Sequence, residues 1–164
     1  MRKLILALFL MVGLFACGGV EKTAFVDVDK VFNDFELTKQ KKSEYENTMA
    51  KRKEITDKEK LRLQQVYKML SETKSPDKKS IEQFQIDRQM FEQKLQEDEQ
   101  QNKAMDEQYT AEIWKQLNQY MEDFRKQEGY VYLFIKSNII ADDSKDVSKA
   151  AIEFVNGRFK GEIK

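Results

Sequence analysis

The 164-residue sequence contains no histidine, one cysteine and one proline. Without histidine or a second thiol, the chain cannot form a Cys/His metal site, a Ser-His-Asp triad or an internal disulfide. Carboxylate pairs remain available, but among 29 acidic side chains such pairs arise by chance and identify no site. The sequence therefore predicts no metal ion and no other cofactor, and we expect a protein that is not an enzyme.

Long apolar runs are equally scarce, and the one at residues 4–15 directly follows Arg2 and Lys3. A twelve-residue helix is about 18 Å long, shorter than the roughly 30 Å hydrocarbon core, so residues 1–16 are predicted to be a cleaved export signal. Cys17 follows Ala16, with Leu14 three positions before it, a pattern that resembles a bacterial lipobox. We expect lipidation of Cys17 and a short spacer over residues 17–22. The alternative is an unmodified cysteine beside an ordinary cleavage site.

The remaining 148 residues have the size of one domain and are nearly neutral, formally −2, because the signal removes Arg2 and Lys3. Charged residues make up 35% of the sequence, and long stretches are rich in Lys, Glu and Gln. This composition is typical of long helices and coiled coils, which need a partner helix or further subunits to bury an apolar face. The basic stretches lack interleaved aromatic residues, so we expect no nucleic-acid partner.

The pattern along the chain predicts a strand over 23–29, a long helix over 34–70, a turn at about 71–77 and a second long helix over 77–127. Ser75 followed by Pro76 fits the start of that second helix. A heptad pattern in the second helix places polar residues at Arg88, Asp98 and Asn102, which specify register at a cost in stability.

Charge also predicts that the two long helices pair as an antiparallel hairpin. Residues 37–80 have a net charge of +6, whereas residues 81–127 have a net charge of −5. Exposed ion pairs contribute only about 0–1 kcal/mol each, so we assign this pattern to partner choice and solubility. The alternative is an uneven scatter of surface charges.

Beyond Gly129, which fits a helix stop, residues 130–135 and 138–141 are predicted to be buried strands joined by a tight turn at 136–138. Asp146 is placed to cap a last helix that ends at Asn156 and Gly157. The fold class is therefore α+β: strands from both ends of the sequence share one small sheet, and a long antiparallel helical hairpin projects from it.

The order of three motifs resembles the Skp/OmpH family of periplasmic chaperones. They are the opening AFVDVDKVF at residues 24–32, the coiled-coil hairpin, and the ending that starts with GYVYLF at residues 129–134. The resemblance implies a homotrimer with a body formed by residues 23–36 and 112–160. It also implies a hairpin arm over residues 37–111, with the arms enclosing unfolded outer-membrane proteins. Typical members are strongly basic and soluble, whereas this chain is nearly neutral and carries the lipidation pattern.

We therefore predict an ATP-independent holdase that is lipid-anchored on the periplasmic side of a bacterial membrane; Gly18 and Gly19 after the cysteine favour the outer membrane. Its expected partners are unfolded outer-membrane or exported proteins, two further copies of itself, and the membrane. The alternative is a structural coiled-coil lipoprotein that acts as a spacer or adaptor. Candidate client contacts are flexible thioether side chains, which adapt to irregular surfaces; they could instead pack the arm helices together. These are Met49, Met69, Met90 and Met105, and the basic tip comprises Lys74, Lys78 and Lys79.

Overall fold

The computed structural model of the protein describes residues 22–138 and 145–163. The predicted export signal, Cys17, the spacer up to residue 21 and most of the second predicted strand, residues 139–141, lie outside the described residues.

The described chain forms three short strands, four α-helices and one turn of 3₁₀ helix. In chain order they are β1 (Thr23–Val26), α1 (Val28–Asp34), α2 (Glu36–Glu72), α3 (Lys78–Glu128), β2 (Tyr132–Ile135), the 3₁₀ turn (Lys136–Asn138), β3 (Lys145–Asp146) and α4 (Ser148–Lys160).

The three strands form a parallel sheet in the order β2-β1-β3, so the N-terminal strand lies between two strands from the end of the chain. Ala24 of β1 pairs with Leu133 on one side and with Lys145 on the other. The prediction of shared strands is confirmed. Residues 136–138, predicted to be a tight turn, form a 3₁₀ turn after β2, and the strand that was predicted to follow lies mostly outside the described residues. The first strand ends at Val26, since the Asp27 side chain accepts a hydrogen bond from the Lys30 backbone N–H and starts α1.

The main hydrophobic core lies between the sheet, α1, α4 and the last turns of α3; we call this region the sheet end. Phe35, Leu117 and Val155 are among its fully buried side chains. Trp114 packs against this core and stacks on Phe32 with a centroid distance of 4.8 Å.

The predicted continuous helix over 34–70 is wrong at its start, because the chain breaks at Phe35 between α1 and α2. Phe35 has extended backbone angles, is fully buried, and meets Phe159 edge to face at 5.6 Å. Asn156 bridges the break: its Nδ2 donates to the Asp34 carbonyl at 3.1 Å, and its Oδ1 accepts from the Glu36 backbone N–H at 2.8 Å. Burial of an aromatic ring thus interrupts a segment whose local sequence favours helix.

Helix ends differ in detail from the predictions. Asp77, rather than Ser75, caps α3 by accepting from the Ser80 backbone N–H at 3.0 Å. Gly129 ends α3 in the left-handed conformation, at φ 71°, as predicted. Asp146 accepts from the Ser148 backbone N–H at 2.9 Å at the start of α4. That helix passes the predicted stop and ends at Gly161, φ 76°.

Helices α2 and α3 form the predicted antiparallel hairpin. Facing contacts fix the direction, because Lys41 lies against Glu112, and Arg62 lies against Asp87 nearer the turn. The 51 residues of α3 correspond to about 76 Å at 1.5 Å per residue. The turn therefore lies far from the sheet end.

Candidate functional site

The hairpin has almost no apolar interior beyond the sheet end. Between residues 39 and 72 of α2, only Leu63 is buried, and between residues 78 and 112 of α3, only Asp98 is buried. Phe84 and Phe91 are half-buried at the seam, and Phe84 meets Tyr67 at 6.0 Å between centroids. A hairpin with so thin a seam leaves its remaining apolar side chains available to other chains.

A layer of polar contacts crosses the middle of the hairpin. The Arg52 guanidinium on α2 donates to Gln101 Oε1 at 2.9 Å, to the Asp98 carbonyl at 3.3 Å and to Asn102 Oδ1. The sequence predicted polar register positions at Asp98 and Asn102. The Asn102 side chain contacts Arg52 across the hairpin, whereas Asp98 contributes only its backbone carbonyl and its carboxylate pairs with Lys94 on the same helix. The prediction missed Arg52, although a basic residue in the nearly apolar-free stretch 51–62 opposite those positions was a usable signal. Arg88, the third predicted seam residue, is exposed and pairs with Glu92 on its own helix at 3.5 Å.

A second cross-helix contact lies closer to the turn. Arg62 Nη2 contacts Asp87 at 2.7 Å across the hairpin, and the same guanidinium forms a two-pronged contact with Glu59 on its own helix. Hydrogen bonds from Arg62 lower the pKa of both carboxyl groups. These contacts keep both acids ionised and hold α2 and α3 in one register.

Two of the four predicted methionine contacts are on the surface. Met69 and Met90 are 63% and 62% exposed, whereas Met49 and Met105 are half-buried along the seam. The structure therefore favours surface contact for the first pair and helix packing for the second. Other exposed apolar side chains on the hairpin are Ile55, Leu61, Tyr67, Ile81, Ile86 and Leu95.

The predicted basic tip is a set of solvent-exposed side chains around the turn. Lys74 lies in the connecting segment, and Lys78 and Lys79 begin α3. Lys78 approaches Glu82 at 3.7 Å on the same helix. Asp77 lies beside them, and hydrogen bonds from Ser80 lower its pKa. The tip is therefore basic, but it includes one ionised carboxylate, that of Asp77, which caps α3.

The β2 strand and the segment before it present apolar side chains that were predicted to be buried. In a single chain, Val131, Tyr132, Phe134 and Ile135 are 41–55% exposed. Tyr132 and Phe134 stack with centroids 6.0 Å apart. β2 is also an edge strand, and a cleft of about 550 Å³ separates it from Trp114 and Met121 on α3. This surface has the apolar character of an interface.

Charged groups fix the entry of β2 and the start of the described chain. Arg125 donates to the Tyr130 carbonyl at 2.9 Å and pairs with Glu122, whose pKa falls to about 2 because of hydrogen bonds from Arg125 and Lys126. Lys22 lies beside this corner. Its carbonyl accepts from the Val131 N–H at 2.9 Å, and its ammonium lies 4.2 Å from the centre of the Tyr130 ring. The chain thus enters at the end of α3 that is opposite the hairpin turn.

Within residues 22–138 and 145–163 there is no cluster of three or more potential side-chain ligands placed to hold a metal ion. None of the helices in the described ranges has the length and apolarity needed to cross a membrane.

Comparisons with known proteins agree with this architecture. A family model described as "Outer membrane protein (OmpH-like)" matches residues 22–154. The structure is similar to that of a putative outer membrane chaperone (OmpH-like) from Caulobacter crescentus, with a TM-score of 0.74 and 13% identity over 85% of this chain and 86% of the other. A comparison with curated proteins gives no match. Because the family model spans most of the sequence, the chain belongs to the OmpH-like family that its motifs resemble.

Proposed function

We propose that this protein is an ATP-independent holdase that binds unfolded outer-membrane or other exported proteins on its hairpin, on the periplasmic side of a bacterial membrane. Membership of the OmpH-like family supports a periplasmic chaperone-type function. The observation that carries the proposal is the hairpin itself, because it leaves Ile55, Met69 and Met90 each more than 60% exposed. Residues 37–111 are the arm in this proposal.

The chemistry of such a chaperone is binding alone. A protein that uses no nucleotide lowers the concentration of free unfolded chains by mass action. Scattered apolar side chains suit that task because many weak contacts tolerate many client sequences. Methionine adds adaptability, since its unbranched thioether fits irregular surfaces. Family membership supports a non-enzymatic role.

Light scattering tests holdase activity directly. A urea-unfolded outer-membrane β-barrel protein is diluted out of urea with and without a molar excess of the chaperone, and the scattering of aggregates is recorded. We expect the chaperone to suppress the signal. Unchanged scattering at excess would contradict the proposal and leave the spacer or adaptor role as the better account.

We further propose that three copies assemble through the sheet end, with residues 23–36 and 112–160 forming the body. The apolar side chains around β2 support this assembly, because a lone chain leaves Tyr132 and Phe134 about half exposed on a strand edge that no other strand pairs within residues 22–138 and 145–163. Pairing that edge with another copy would satisfy its backbone groups and cover these rings.

Anchoring by a lipidated Cys17 would determine the orientation of the molecule relative to its membrane. Lys22 lies at the end of α3 that is far from the hairpin turn. Five further residues span at most about 18 Å, so the sheet end would sit at the membrane and the tip about 75 Å from it. The basic tip would then face away from the anchoring membrane.

Replacing the cysteine tests the anchor. We expect the Cys17→Ser chain to move from the membrane fraction to the soluble periplasmic fraction of exporting cells. If the Cys17→Ser chain stays in the membrane fraction, the proposed lipid anchor is wrong. The proposed holdase activity would not be affected by that result.

A further inference from the structure

Along the hairpin lies a groove made of two adjoining clefts, which share Arg62 and Asp87 in their lining and each contain one of the two exposed methionines. Its first part, about 410 Å³, has Ile55, Met90 and Phe91 as its apolar surface. Its second part, about 580 Å³, extends toward the turn and includes Val66 and Met69. The Arg62–Asp87 ion pair borders both parts. We call the two parts together the methionine groove.

The spacing of its apolar side chains matches an extended peptide. From Ile55 to Met69 the helix rises about 21 Å, the length of six or seven residues of extended chain. Because Arg62 meets Asp87, Met90 lies across from position 59, about 6 Å along the axis from Ile55. Side chains on one face of a strand recur at about 6.6 Å. An extended segment can therefore place alternate apolar side chains on Ile55 and Met90.

The first part of the groove has an excess of negative charge. Four carboxylates line it, against two cations, Arg62 and Lys94. Arg62 is shared between Glu59 and Asp87, and Lys94 is paired with Asp98. Glu97 forms no ion pair within the described residues. Hydrogen bonding to Arg62 lowers the pKa of Glu59 and of Asp87, so both remain ionised at neutral pH.

We propose that the methionine groove binds extended apolar segments that carry lysine or arginine, and that it discriminates against segments carrying acidic residues. The inference rests on the proposed holdase function and specifies its client. On the one face of the client that meets the groove, two successive apolar side chains cover Ile55 and Met90, and the basic side chains before and after them on that same face reach Glu97 and the Glu59–Asp87 pair.

Fluorescence anisotropy with three labelled peptides tests the preference. Each has about ten residues, with serine at every second position so that the remaining side chains share one strand face. On that face the valine–lysine peptide carries lysine, valine, valine and lysine, the valine–glutamate peptide carries glutamate, valine, valine and glutamate, and the third carries lysine, serine, serine and lysine. At about 50 mM salt we expect the valine–lysine peptide to bind about tenfold more tightly than either of the others, because two or three exposed ion pairs add to the apolar contact. The advantage over valine–glutamate should shrink in about 1 M salt, where the Debye length is about 3 Å.

Two double variants locate the binding. Ile55→Ser with Met90→Ser removes the apolar floor of the groove, whereas Leu61→Ser with Ile86→Ser removes one similarly exposed side chain from each helix outside it. We expect at least tenfold weaker binding of the valine–lysine peptide to the first variant and unchanged binding to the second. Glu97→Lys should weaken the binding of the valine–lysine peptide and strengthen the binding of the valine–glutamate peptide. Circular dichroism checks that all variants are folded.

The outcomes separate the two proposals. Equal affinity for valine–lysine and valine–glutamate peptides, or equal loss in both double variants, would overturn the methionine groove while leaving holdase activity intact. A wild-type chain that does not suppress client scattering would overturn the holdase function, whatever peptides it binds.

Discussion

Asn156 shows how one side chain can hold a break in the backbone. It is hydrogen-bonded to the Asp34 carbonyl and to the Glu36 backbone N–H, on the two sides of Phe35. These bonds replace helical hydrogen bonds that the chain loses where α1 ends and α2 begins. The residue therefore connects α4 to the start of the hairpin.

We expect Asn156→Ala to lower the free energy of unfolding by about 1–3 kcal/mol, because it leaves two partly buried backbone groups without partners. Urea denaturation measures the change. Asn118→Ala is the matched control, since Asn118 is exposed on α3 and makes no hydrogen bond with its side chain in the described chain. Equal effects of the two substitutions would contradict the assigned role of Asn156.

Low pH should reduce the contribution of Glu122 to the stability of the fold. Contacts with Arg125 and Lys126 depress the pKa of this carboxyl from its ordinary value of 4.5 to about 2. A depressed folded-state pKa stabilises the fold above about pH 4.5, and that contribution is lost as pH falls toward 2. We therefore expect Glu122→Gln to lose less stability than wild type between about pH 6 and pH 3.

Urea denaturation at several pH values measures that difference. Glu128→Gln is the control, because the Glu128 side chain is exposed and forms no ion pair among the described residues. A Glu122→Gln profile parallel to that of wild type would contradict the prediction.

At the scale of elements, the hairpin depends on a few polar cross-links more than on an apolar seam. Arg52 bonds three groups on α3, and Arg62 reaches Asp87 closer to the turn. Apolar burial by Leu63 alone cannot define register along so long a pair of helices. Polar contacts with strict geometry can, because a shift by one residue leaves them unpaired.

We expect Arg52→Ala to speed amide hydrogen exchange around Asp98 and Asn102, while the sheet end keeps its protection. Local opening of the hairpin costs less free energy in this variant, because the Arg52 contacts are absent and do not have to be broken. Lys53→Ala is the matched control, because the one ion pair of Lys53 in the described part of the chain is with Asp57 on its own helix, at 3.4 Å. If both variants exchange alike, Arg52 does not lock the hairpin.

The sequence was a good guide to elements that depend on local pattern. The two long helices, the stop at Gly129 and the strands from both ends of the chain all follow from periodicity and glycine placement. It was a poor guide where distant groups decide. The break at Phe35 depends on Phe159 and Asn156, over 120 residues away, and the capping role of Asp77 depends on how the turn closes.

The sequence predicted which type of side chain forms the candidate surface, but not which of those side chains are exposed. Methionine content indicated adaptable contacts, yet only the arrangement of both helices separates exposed Met69 and Met90 from half-buried Met49 and Met105. Arg52 was missed because its partners are 46 to 50 residues away on another helix. Sequence pattern gives the face of a helix but not which part of that face its partner covers.

At the scale of the whole molecule, the exposed β2 surface predicts assembly. We expect the wild-type protein to have the mass of three chains in light scattering after gel filtration, and Tyr132→Lys with Phe134→Lys to reduce it to one. Charges on these two rings oppose their burial at an interface. The control is Leu61→Ser with Ile86→Ser, which changes exposed hairpin residues. A wild-type monomer, or a trimer that persists with both lysines, would contradict the proposed assembly.

The proposed holdase function requires that the hairpin surface contacts an unfolded client protein. Photo-crosslinking tests it most directly: a photoreactive residue is placed at Met69 or Met90 and, for comparison, at Lys149 on α4, whose side chain is 90% exposed. An unfolded outer-membrane β-barrel protein is added and the sample is irradiated. We expect strong adducts from both hairpin positions and few from Lys149. Equal adducts at all three positions, or none from the hairpin, would contradict the proposal.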